Sequence, residues 1–255
     1  MTDRHRLLLV PAFTELEWGI RPQLEAWADV ATFDMPGIGD QPIPDHVEPD
    51  PAQMPDLLSR WRTAGVEAGL REVERRGLDE LFVITDDLGA PTAVEIAKRR
   101  RDGVRGLALG HAALSHSTQG ERAPMNAAIW AVLAQLAHQG SEQFVRYGIA
   151  QATQGGVSEE VAQRMIERFP DMELVSATVD ALATAAEPIG VDLAALGLPM
   201  LFGKHEGCLG RSDEGFEDIV AAFPEARTAI CPETCSSSPT FADAVRSFCA
   251  AVGES

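Results

Sequence analysis

The chain reads as an α/β fold: a mainly parallel sheet of about six strands with a helical insertion. Three observations predict it. Short aliphatic and β-branched runs alternate with longer stretches of helical periodicity in the first 111 residues and again after Leu198. From about Thr118 to Ala194 the patterning is helical only. At Leu81-Phe82-Val83-Ile84-Thr85-Asp86-Asp87-Leu88-Gly89-Ala90 a strand runs into two acids, a glycine and a helix. Strands separated by helices pair in parallel, so their carboxyl ends share one rim, where open α/β sheets bind ligands.

The elements follow in order. Residues 5–11 form an apolar strand, and Leu24-Glu25-Ala26-Trp27 closes a helix. Val30-Ala31-Thr32-Phe33-Asp34 is a second strand, ending in the turn Met35-Pro36-Gly37-Ile38-Gly39-Asp40. Residues 41–53, rich in Pro and Asp, form a loop. A helix spans about Met54 to Arg76, with Leu57, Leu58, Trp61, Val66, Leu70 and Val73 near one face and Gly77 as its stop. The strand at 81 then leads into a helix that tolerates Pro91 because it lies in the first turn. Val104 to Gly110 is a strand that delivers His111 and His116 just past its end. Leu198 to Gly207 resumes the sheet, a helix covers about 213–223, Ala226 to Cys231 is the last strand, and Pro239 to Phe248 lies in a closing helix.

Bulk properties exclude several classes. With 39 acidic and 21 basic residues the formal charge is −18, which repels nucleic acid and anionic membrane surfaces. No window approaches the roughly 18 to 20 apolar residues of a membrane span. Arg4-His5-Arg6 before Leu7-Leu8-Leu9-Val10 imitates a signal peptide, but the run is short and leads into Thr14-Glu15-Leu16-Glu17; a first strand in a cytoplasmic protein is the expectation. Cys208, Cys231, Cys235 and Cys249 all lie in the last fifth of the chain and default to thiols in that compartment.

The corner at Thr85 to Gly89 resembles the nucleophile elbow, G-x-S-x-G, of the α/β-hydrolase family, with Asp87 in the serine position and Gly89 as the second glycine. Asp, apolar residue, Gly is similar to the haloalkane dehalogenases and epoxide hydrolases, which attack carbon with a carboxylate. The turn from Asp34 to Gly39 resembles the family's D-x-P-G-x-G. An N-cap role for Asp86 or Asp87 and a plain tight turn at 35–40 are the alternatives. The resemblance implies an α/β-hydrolase core at 1–117 and 195–255 and a helical cap at 118–194. It implies oxyanion N–H donors at Phe13 and Leu88, and Glu206 in the position of the triad acid. Asp86, His116, Trp130, Tyr147 and Cys235 are further pocket candidates; Phe144, Met165 and Phe169 belong either to the roof of the pocket or to the core.

The chain departs from the family at Thr85, where the elbow's first glycine is usual, at Ala12, where a glycine is usual after the first strand, and most informatively at the missing histidine. Between last strand and last helix, where the family carries its catalytic histidine, the segment reads Pro232-Glu233-Thr234-Cys235-Ser236-Ser237-Ser238, and no histidine follows His205. An Asp nucleophile makes an alkyl ester, and a positioned base must then activate water to break it. His111 is the first replacement candidate, against a purely structural role. The second option makes Asp87 an acid or base: the helix N-terminus favours its carboxylate, while Asp86 and a dry pocket favour protonation. Such a carboxyl suits cyclisation, isomerisation or elimination. His205, Cys208, Cys231 and Cys235 loosely resemble a zinc pattern, weighed against free thiols and a disulfide. The expectation is an enzyme without metal or cofactor acting on a small, mainly apolar molecule, or a binding protein derived from such an enzyme.

Overall fold

Among the residues described by the computed structural model, six strands form one sheet: β1 (His5–Val10), β2 (Ala28–Thr32), β3 (Leu81–Asp86), β4 (Val104–Gly110), β5 (Met200–His205) and β6 (Arg227–Cys231). Their order is β2-β1-β3-β4-β5-β6, and every neighbouring pair is parallel. The described residues are 4–11, 18–47, 54–111, 123–149, 159–169, 171–184, 193–206 and 213–253. At 54–55, 87, 123–127, 149, 161, 182–184 and 213–214 the description is of the backbone only.

The helices are α1 (Arg21–Glu25), α2 (Met54–Arg76), α3 (Ala90–Arg99), α4 (Ala123–His138), α5 (Ser141–Gln143, continuing as a π-helical turn over Phe144–Ile149), α6 (Glu159–Glu167), α7 (Met172–Thr184), α8 (Asp213–Ala222) and α9 (Pro239–Gly253). None is long and apolar enough to cross a membrane. Helix α2 stops where expected. Gly77 takes φ +61°, and the Leu78 N–H turns back to the Val73 carbonyl at 3.0 Å, satisfying one of the last orphan acceptors.

The chain divides into two compact units, Met1–Phe33 with Gly69–Gly120 and Pro188–Ser255, and Asp34–Ala68 with Glu121–Glu187. The first holds the whole sheet. Residue alternation puts Leu7, Leu9, Phe82, Ile84, Ala108 and Leu201 in one core with Phe241, Val245 and Phe248 of α9. Phe82 and Phe248 meet edge to face at 5.8 Å. A β-carbon at Gly106 would come within 2.7 Å of the Phe248 ring, so the bare glycine of β4 is what lets α9 lie down on the sheet. All six residues of β3 are buried, as the interior strand of a sheet covered on both faces requires.

In the second unit the Asp34–Gly39 turn uses its glycines for positive φ, +77° at Gly37 and +59° at Gly39. The Gly39 N–H donates to the Arg168 carbonyl at 2.7 Å, and the Arg168 guanidinium pairs with the Asp34 carboxylate. Burial raises the Asp34 carboxyl above its ordinary range, against the pull of that arginine. The Trp61 indole N–H donates to the Pro36 carbonyl at 3.0 Å. Helix α4 lies against α7, with His138 Nε2 and Asp180 Oδ2 sharing a 2.8 Å hydrogen bond, and Asp171 Oδ1 caps α7 through the Glu173 and Leu174 N–H groups. Phe144 and Phe169 are wholly buried and stack edge to face at 5.4 Å; with buried Met165 they are core residues.

Candidate active site

The corner after β3 is shaped by a close approach. Thr85, buried, donates its hydroxyl to the Val10 carbonyl at 3.1 Å, tying the end of β3 to the end of β1. The chain then makes one 3-10 turn, Asp87–Gly89, and enters α3. A β-carbon at Gly89 would fall 2.2 Å from Thr85 Oγ1 and about 3 Å from the Val10 and Pro11 carbonyl oxygens, 3.0 and 3.1 Å respectively. Only glycine fits there, and its φ of −70° shows that the demand is for space rather than for unusual backbone. Asp87 thus stands by its backbone at the head of a tight strand-to-helix turn, and Leu88 beside it is half-buried.

Asp86 is the buried carboxylate of this corner, only 1% exposed. Its Oδ2 accepts the Ser236 backbone N–H at 2.7 Å, a charge-assisted bond that reaches across from β3 to the turn after β6. The carboxylate lies over Gly110 of β4: a β-carbon there would meet Asp86 Oδ1 at 3.0 Å and the Cys235 β-carbon at 2.6 Å. Asp86, Gly110, Cys235 and Ser236 therefore form one contact cluster.

The ends of β4 and β5 carry the histidines. His111 is the one described non-glycine residue at positive φ, +43°, and its N–H donates to the Gly203 carbonyl at 2.9 Å. Its ring lies 6.3 Å from that of His205. Glu206 follows His205 in an exposed turn, its N–H donating to the Cys231 carbonyl at 2.8 Å. Cys231 and Cys235 are both fully buried, with Sγ atoms 3.8 Å apart. The hydrogen bond from Cys235 holds the Cys231 thiol below its usual range, against burial and the Asp86 and Glu233 carboxylates.

Of the residues singled out from sequence, Asp86 and Cys235 come together, and Asp87, Leu88, His111 and Glu206 lie on strand ends or turns of the same unit. Trp130 and Tyr147 belong to the other unit; Trp130 is half-buried and Tyr147 is 62% exposed. Phe13, His116 and Cys208 lie outside the described residues, and among the described residues no three His, Cys, Asp or Glu side chains are grouped to hold a metal ion. The sequence pattern groups Cys231 with Cys235 but does not announce the Ser236 N–H or the seat that holds Asp86 and Cys235. The signal for that seat was Gly110 and Gly203, glycines at neighbouring strand ends that leave room for Asp86 and Cys235.

The chain superposes on solved structures over essentially its full length. An ancestral haloalkane dehalogenase superposes with a TM-score of 0.71 at 16% identity, covering 100% of this chain and 94% of that one. The haloalkane dehalogenase DbeA from Bradyrhizobium elkani gives 0.69 at 15% identity, over 99% and 92%. A thermophilic esterase from Thermogutta terrifontis gives 0.62 at 18%, over 98% and 91%. The fold is that of the α/β-hydrolases. No family model matches the chain and no curated protein matches it in sequence, so the likeness lies in the architecture. In the segment between β6 and α9, Cys235, Ser236 and Ser238 are buried, and the Ser236 N–H donates to Asp86.

Proposed function

We propose that the chain is an atypical α/β-hydrolase-fold enzyme acting on a small, mainly apolar organic molecule, with Asp87 as nucleophile or as general acid/base. The observation that carries the reading is the elbow. A turn packed so tightly that Gly89 admits no side chain places an acid at the start of α3, beside the Leu88 N–H. As nucleophile, Asp87 attacks a substrate carbon, the leaving group departs with the bonding pair, and water must later cleave the ester. His111 is the base proposed for that step. Its position at the end of β4 and its left-handed backbone at φ +43° support the assignment, since strained non-glycine residues cluster at functional sites. Without such a base the same carboxyl serves proton transfer in cyclisation, isomerisation or elimination.

A second reading, a small-molecule-binding protein without turnover, is favoured by the exposure of Glu206 and by the absence of any histidine after His205. The test is Asp87→Asn beside the unaltered protein, each incubated with ester, epoxide and haloalkane panels and followed by product release and intact mass. Turnover, or an adduct on the unaltered protein that Asp87→Asn abolishes, is the expected result. Turnover that survives Asp87→Asn removes the aspartate from the chemistry. No turnover and no adduct on any panel member leaves the binding reading in place of the hydrolytic one.

A further inference from the structure

The thiols of Cys231 and Cys235 are separated by a three-residue turn and face each other at 3.8 Å, the Cys235 S–H donating to Cys231 Sγ. A disulfide needs its sulfurs about 2.0 Å apart, so bond formation requires the two sulfurs to close the remaining gap from 3.8 Å. Both thiols are fully buried, and Pro232 and Glu233 of the intervening turn are exposed. Cys249 differs: it is buried in α9 with its thiol pushed up to about 12 by desolvation, which leaves it protonated and unreactive.

We propose that Cys231 and Cys235 are a redox-modification site that closes to an intramolecular disulfide when a peroxide reaches it. In the first step the Cys231 thiolate attacks one peroxide oxygen. The O–O bond breaks, Cys231 becomes a sulfenic acid that keeps one peroxide O–H, and the departing hydroxide combines with the proton released when the Cys231 thiol ionised, leaving as water. In the second, Cys235 sulfur attacks the sulfenyl sulfur, the S–O bond breaks, and hydroxide leaves with the Cys235 proton as a second water. Two thiols lose two electrons, and one hydrogen peroxide becomes two waters. The hydrogen bond that favours the Cys231 thiolate fits it to be the attacking sulfur. Closure acts directly on the candidate active site, because Ser236, whose N–H holds Asp86, is the residue after Cys235.

The full chain, folded and reduced, is treated with hydrogen peroxide, quenched, unfolded with N-ethylmaleimide and peptide-mapped. The expected result is a peptide containing both cysteines that is about 2 Da lighter and unalkylated, reverting with dithiothreitol, while Cys249 is alkylated. Alkylation of both Cys231 and Cys235, a bridge involving Cys208 or Cys249, or irreversible sulfinic acid would each overturn the proposal. In Cys235→Ser, dimedone should trap a sulfenic acid at Cys231 that the unaltered protein does not retain; equal trapping in both refutes closure. Should that variant not fold, the peptide map of the unaltered protein decides alone. None of these readouts depends on turnover, so the pair and the proposed activity fail separately.

Discussion

The carboxylate of Asp86 accepts the backbone N–H of Ser236 at 2.7 Å, joining the interior strand of the sheet to the turn after its last strand. Because both partners are buried, the cost of breaking the bond is that of leaving one group unsatisfied. Asp86→Ala should lower unfolding free energy by about 2–4 kcal/mol, and Asp86→Asn, which keeps an acceptor, by about half of that. Urea denaturation of the two variants checks the order; equal losses would mean that the carboxylate itself, which both variants remove, carries the stabilisation and not the volume that only Asp86→Ala vacates.

The packing at Gly89 leads to a test that separates elbow geometry from chemistry. Gly89→Ala sets a methyl against Thr85 Oγ1 and two carbonyl oxygens, and the backbone must shift by several tenths of an ångström. A destabilisation of about 1–3 kcal/mol is expected. Adding Thr85→Ala should recover only part of it, since the Val10 and Pro11 carbonyls remain. Thermal unfolding of both variants is the measurement.

Gly106 and Phe248 should behave as one unit. Phe248→Ala opens a cavity costing about 3–5 kcal/mol, and Gly106→Ala forces the ring away for about 1–3 kcal/mol. The double variant should cost less than the sum, because the new methyl enters the vacated space. A double-mutant cycle in urea gives the coupling, and strict additivity would show that α9 shifts as a body instead.

Cys249 supplies a pH dependence whose sign follows from its burial. Its thiol is raised to about 12 in the folded chain from 9.0, so the folded state holds the proton more tightly than the unfolded one. The stability it contributes is full below pH 9 and is lost as pH rises from there towards 12, by up to ~4 kcal/mol. Cys249→Ala should flatten this part of the stability curve and leave the region below pH 8 unchanged in shape. Denaturant midpoints across pH 7.5–10.5 check it.

How far these features were legible depends on their range along the chain. Helix α2 ends at Arg76 in both readings because Gly77 is a local stop whose positive φ is a backbone requirement. Strand β2 was expected at 30–34 and runs from Ala28 to Thr32: on an edge strand, exposed Asp29 is tolerated, and an apolar-run rule steps past it. The elbow was legible from five consecutive residues. The role of Asp86 was not, because its partner lies 150 positions away and is a backbone N–H that no side-chain pattern announces. The same holds for Cys235, whose seat is defined by glycines on two other strands.

The sheet order carries a cost in time. Strands β4 and β5 are neighbours, yet the whole chain between Gly110 and Met200 separates them, whereas β1, β2, β3 and β4 assemble from nearer partners. Closing that long excursion is entropically expensive before any pairing repays it. A nascent chain therefore passes through a stage in which the apolar residues Leu107, Ala108 and Leu109 form a bare sheet margin awaiting β5. Until synthesis has passed His205 this margin has no β5 to pair with, and an unpaired apolar strand edge is the kind of surface that invites aggregation.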